Sequence, residues 1–157
     1  MNGYQEFYDF MEEYTCFFQD AADLEEEKLA ALLSDDLHRI ERALMEHQRV
    51  TKQIEQYELR RAQLQERLGI GGKTFREIID LTDGAERQDL KFLFSAFEAA
   101  IQCIKHANAR SLDIARLNLR ILDEISPVGI TDPQLYDQHG VSADTMGKSV
   151  NLLHKQV

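Results

Sequence analysis

The chain has 157 residues, the size of one domain, with 29% charged and 43% apolar residues, a balance that excludes both a disordered and a membrane-embedded polypeptide. Its net charge of −10 argues against nucleic-acid backbones and anionic membranes as partners. Only two prolines and eight glycines interrupt it, so long helices are expected.

The first predicted helix runs from about Tyr4 to Leu33. Tyr4, Phe7, Met11, Tyr14, Phe18, Ala21, Lys28 and Leu32 recur at steps of three and four, or multiples of them, which puts them on one stripe. Seven of the 13 aromatics fall within the first 18 residues. Such a cluster either packs into the core or offers a sticky surface to a partner. Asp23, Glu25, Glu26 and Glu27 predict an acidic outer face. No basic segment precedes an apolar run between Met1 and Glu12, so no signal peptide is expected.

Ser34-Asp35-Asp36 breaks the pattern with residues suited to an N-cap. A second helix is expected over about Asp36 to Leu68, with the stripe Leu37, Ile40, Leu44, His47, Thr51, Ile54, Tyr57, Arg61, Leu64 and Leu68. This near-heptad predicts shallow, coiled-coil-like packing against the first helix in an antiparallel hairpin. His47, Thr51 and Arg61 are polar breaks of the kind that set register. Gly69, Gly71 and Gly72 end the helix; Gly72-Lys73-Thr74 lacks the first glycine of a phosphate loop. Phe75, Ile78, Ile79 and Leu81 suit a short accessory helix, and Thr82-Asp83-Gly84 a cap for the next.

The longest predicted element is Ala85 to Ile125, free of proline and glycine. Its stripe comprises Leu90, Phe94, Phe97, Ile101, Ile104, Leu112, Ala115, Leu122 and Ile125. At ~1.5 Å per residue it spans roughly 60 Å and outruns the second helix by about two turns. The hairpin is expected to cover its early half, where Phe92, Phe94 and Phe97 call for deep burial. The later half is more polar, with Asn108, Ser111 and Asn118 near the stripe, and reads as the wall of a groove. Ile104, Asn108, Leu112, Ala115, Leu119 and Leu122 are the candidate substrate-binding residues, the alternative for each being a place in the core. Arg110, Arg116 and Arg120 form a small basic patch or a solvated face.

Ser126-Pro127 is expected to close this helix. Residues 127–157 form an extended tail with a possible short helix around Val150, Leu152 and Leu153, beside a bundle domain of residues 1–126. The fold class expected is all-α: three long antiparallel helices in a coiled-coil-like bundle, with a short accessory helix and a tail.

Signals for chemistry are sparse. No Glu-x-x-His pair suits a bundle-core di-metal site, and Cys103-x-x-His106 is half of a zinc site at most. His38, His47, His106, His139 and His154 are scattered, with no evident nucleophile or carboxylate partner. Neither a metal, a cofactor nor catalysis is expected. Cys16 and Cys103 read as small buried hydrophobes, in keeping with a reducing cytoplasm. The composition suits a protein that receives a partner helix in an apolar groove.

Leu32-Leu33-Ser34-Asp35-Asp36-Leu37, Arg61 with Leu64 and then Leu68-Gly69, Asn108 to Leu112 with Leu119, and Leu135-Tyr136 with Gly140 occur in an order that resembles the FlgN family of flagellar type III export chaperones. The resemblance covers residues 14 to 141. The chain departs from the family at Ser111, where an asparagine often repeats, and in Asp137-Gln138-His139. The resemblance implies a cytoplasmic chaperone that binds the C-terminal helical segments of the hook–filament junction proteins FlgK and FlgL and prevents their premature self-association. It implies delivery to FlhA at the export gate, with Tyr136 as the docking residue; an ordinary tail aromatic is the other reading of Tyr136. A structural coiled-coil homo-oligomer is the alternative function.

Overall fold

A computed structural model of the chain describes residues 3–125. Every element among them is a helix: α1 (Tyr4–Leu32), α2 (Leu37–Arg67), α3 (Phe75–Asp80) and α4 (Gly84–Ile125). The expected end of the long helix at Ser126-Pro127, the tail and Tyr136 lie outside the described residues.

The breaks between helices are chemical. Gly3 starts α1 with φ 81°, a left-handed conformation where a Cβ would also lie 2.4 Å from a Leu68 methyl group. Ser34 Oγ donates to the Ala31 carbonyl at 2.7 Å, and Asp36 accepts from the Arg39 amide at 3.0 Å, so the hairpin turn closes one helix and caps the next. Past α2, Gly69 adopts φ 72°, and the Gly69 and Ile70 amides return to the Glu66 and Gln65 carbonyls. Ile70 is buried beneath this turn. Thr74 and Glu77 form a reciprocal capping box that makes six residues of α3 stable enough to seat Phe75, Ile78 and Ile79 in the core.

The side-chain pairs show the directions. Along α1, Glu6, Glu13 and Glu27 meet Arg67, Arg60 and Arg39 of α2, in falling order, so the hairpin is antiparallel. These exposed ion pairs mark register more than they add stability. Along α4 the order rises: Tyr4 donates to Asp89, Phe18 packs edge-on to Phe97 with centroids 5.1 Å apart, and Lys28 donates to Asn108. The long helices therefore alternate in direction, and α4 returns parallel to α1.

The contacts, however, centre on α1. It packs against both α2 and α4, whose backbones hardly approach each other. The early half of α4 is covered by α1 and α3, not by the α1–α2 hairpin as a whole. The aromatic end of α1 makes this possible. Phe7, Phe10, Met11, Tyr14 and Phe18 are all buried, which resolves the sticky N-terminus as core. Tyr14 stacks on Tyr57 of α2 at 4.6 Å and touches Phe97 of α4 at 5.5 Å, joining the two flanks through one side chain. Its hydroxyl donates to Glu58 at 2.7 Å; burial and that carboxylate push the phenol upward in pKa. Phe75 meets Phe7 and Phe94 edge-on, placing α3 across the same cluster. Each such buried ring contributes roughly 1.5–3 kcal/mol of apolar burial.

Three further sequence expectations are corrected. Phe92 is 80% exposed rather than buried, because Leu90, Phe94 and Phe97 define the inward side of α4 and a residue two steps from a core position points away. Cys16 and Cys103 are exposed for the same reason. Glu25 does not belong to an acidic outer face; it is buried at 3% exposure.

Candidate functional site

The buried part of α4 stops at Ser111. Just before that point lies the last polar tie to α1, a closed cluster drawn from three helices. Lys28 of α1 is 1% exposed; its ammonium lies 2.5 Å from Glu25 and 3.0 Å from Asn108 Oδ1 of α4. His47 Nδ1 of α2 lies against both Glu25 Oε1 and the Lys28 ammonium, the latter at 3.1 Å, so His47, whose sequence position shows no carboxylate partner, has one in Glu25. A carboxylate only accepts and an ammonium only donates, so Nδ1 serves one of the two according to its tautomer, while Lys28 gives its protons to Glu25 and Asn108. Burial pushes the Glu25 carboxyl up, but the His47 hydrogen bond and the Lys28 charge outweigh it and hold the group below the usual carboxylate range. Burial pushes the Lys28 ammonium down, and Glu25 only partly restores it.

Such a cluster is costly to misalign, since every shift leaves a charge or an amide unpaired away from water. It sets the register of α1 against α4, and with it how much of α4 runs free. Beyond Lys28, which meets Asn108, only four residues of α1 remain, Leu29 to Leu32. The end of α4 thus projects roughly 20 Å beyond the hairpin turn, on the order of a dozen residues.

On this projection the side chains change character. Leu112, Ile114 and Ala115 are half-buried, and then Leu117, Leu119, Ile121, Leu122 and Ile125 are all exposed, Leu122 at 60% and Ile125 at 72%. At ~100° per residue, Leu112, Ala115, Leu119 and Leu122 continue the side of α4 that faces α1, whereas Ile114, Leu117, Ile121 and Ile125 lie roughly 100° to 180° round from it. Apolar residues then cover over half of the circumference, where ~100° serves a helix with one apolar neighbour. Asp113, Arg116, Arg120, Asp123 and Glu124 fill the remaining strip, with Arg116 3.6 Å from Asp113. The three arginines of the small basic patch are exposed.

The six residues proposed from the sequence therefore separate. Ile104 and Asn108 are core, at 7% exposure each, against α1. Leu112 and Ala115 sit at the margin, and Leu119 and Leu122 stand in the open. Leu117, Ile121 and Ile125 join the exposed set. The polar cluster was foreshadowed in the sequence: Lys28, His47 and Asn108 are polar interruptions on three apolar stripes, and helices packed stripe to stripe bring such interruptions together.

Other concave features are shallow. An open depression between α1 and α2 is lined by Glu6, Glu13, Arg60 and Arg67, which pair with one another. Among the described residues, no three His, Cys, Asp or Glu side chains come together to hold a metal ion. No helix among them is long and apolar enough to cross a membrane. Comparison with family models, with curated proteins and with solved structures finds no match for the chain.

Proposed function

We propose that the chain is a cytoplasmic export chaperone of the FlgN type, which holds the C-terminal helical segments of FlgK and FlgL against the projecting end of α4. The single observation that supports this reading is the run of exposed leucines, Leu119 and Leu122, continuing the inward stripe past the point where α1 ends. A partner helix laid along Leu112, Ala115, Leu119 and Leu122 would take the place that α1 occupies further back, with apolar burial as its driving force at about 25 cal/mol per Å². The binding residues are thus the last four of the six; Ile104 and Asn108 support them from the core. Tyr136 is proposed as the residue that docks on FlhA.

Calorimetry with a peptide from the C-terminus of a junction protein tests this. The expected result is binding with a large negative heat-capacity change, weakened roughly tenfold or more by Leu122→Asp, which buries a charge in the contact. No heat at high micromolar concentration overturns the reading. Tyr136→Ala should lower affinity for the gate domain and leave peptide binding unchanged. If the chain is instead a homo-oligomeric module without an export role, sedimentation should show a tight oligomer that excludes the peptide.

A further inference from the structure

The second apolar side of α4 faces away from α1 and is not needed for the partner helix proposed above. It does not end at the projection. Traced back at ~100° per residue, Ile121, Leu117 and Ile114 lie in line with Cys103, Ala99, Ala96 and Phe92, within a narrow strip along the outer side. Phe92 is the most exposed of the large apolar side chains among the described residues, and Cys103 is exposed as well. A ring left that open beside a core that seats every neighbouring phenylalanine points to a contact with another molecule.

The strip has an internal order. Its early half carries one large ring and then small residues; its late half carries branched ones. About a centre between His106 and Ala107, the positions pair at equal distances: Phe92 with Ile121, Ala96 with Leu117, Ala99 with Ile114, and Cys103 with Arg110. Each small side chain stands opposite a large one. Two copies of α4 laid antiparallel about a two-fold axis at that centre would bring these pairs face to face, large into small in the three inner layers, with Phe92 against Ile121 closing each end. Arg110 would lie over Cys103 with its head turned to water. The seam is ~45 Å long and, with about ten side chains from each copy at somewhat under 100 Å² each, it buries roughly 800 Å² per copy, the size of a stable specific interface.

We infer that the outer side of α4 is an antiparallel two-fold interface between two copies of this chain, centred at His106–Ala107. The two projecting ends then point in opposite directions, and each keeps its inward leucine stripe free.

The full-length chain in a Cys16→Ser, Cys103→Ser background provides the test. His106→Cys lies next to the axis, where the paired Cα atoms come within disulfide reach, and should cross-link between chains under mild oxidation. Phe92→Cys should not link to itself but should link to a chain carrying Ile121→Cys. Sedimentation should give twice the monomer mass, and Leu117→Glu, with its helical signal unchanged, should weaken the dimer roughly tenfold or more. A monomer at ~100 µM overturns the inference, since an interface of this size should hold well below that concentration. Self-linking of Phe92→Cys overturns it in favour of a parallel pair. An internal disulfide between Leu117→Cys and Leu153→Cys in a monomeric chain overturns it by giving the strip to residues 126–157 of the same molecule.

Discussion

The two ends of α4 are built from the same kinds of residue and have opposite surroundings. Between Leu90 and Ile104 its inward side chains are enclosed by α1 and α3, ring against ring, and Phe97 alone touches Tyr14, Phe18 and Phe75. Between Leu117 and Ile125, leucine and isoleucine at the same helical spacing are all exposed. The sequence period is common to both regions; the length of α1 is not. A helix of 29 residues tied by its end to Asn108 cannot cover one of 42. Apolarity at one end of α4 therefore holds the fold together, and at the other end it is available for binding.

That contrast can be broken by substitution. Phe97→Ala should cost about 3–5 kcal/mol in a urea titration, because it opens a cavity among three other rings. Leu122→Ala at the far end should change stability by no more than ~0.5 kcal/mol. A comparable loss at both sites would mean that the projection is covered.

The polar cluster at the boundary should come next. Glu25→Gln leaves the Lys28 ammonium buried without its counter-charge, a loss of roughly 3 kcal/mol at neutral pH. Its pH dependence follows from the direction of the shift. The folded carboxyl sits below its unfolded value, so the stability it contributes is present above the ordinary glutamate pKa of about 4.3 and is lost as pH falls from there through the folded value. The difference between wild type and Glu25→Gln should thus be full at pH 7 and shrink steadily below about pH 4.3, as read by denaturant midpoints across pH.

A smaller effect is expected at α3. Thr74→Ala removes half of the capping box and should cost about 1 kcal/mol, loosening the lid that Phe75 makes over the packed end of α4. Proteolysis near the Gly71-Gly72 turn should report it, with the projecting end unaffected.

Much of the fold was legible along the chain. The breakers at Ser34 to Asp36 and Gly69 to Gly72, and the three long stripes, place both ends of α1 and α2 and the start of α4 within about two residues of their observed bounds. The site was legible only in part. The stripe offers Leu119 and Leu122 as binding candidates, which are exposed, together with Ile104 and Asn108, which share the stripe and are buried. Phe92 and Cys103 were assigned to the interior on residue type, whereas their angular position on α4 turns them outward.

The sequence by itself determined the helices, their caps and the side of each that is apolar, because periodicity and capping are local properties of a few neighbouring residues. The tertiary structure decided which helix covers which and where the cover stops. That depends on α1 standing between α2 and α4, and on the register set by Lys28, Glu25, His47 and Asn108, whose satisfaction is a property of three helices at once. A stripe states that a face avoids water; only the packed molecule distinguishes a face already covered from one that is still open.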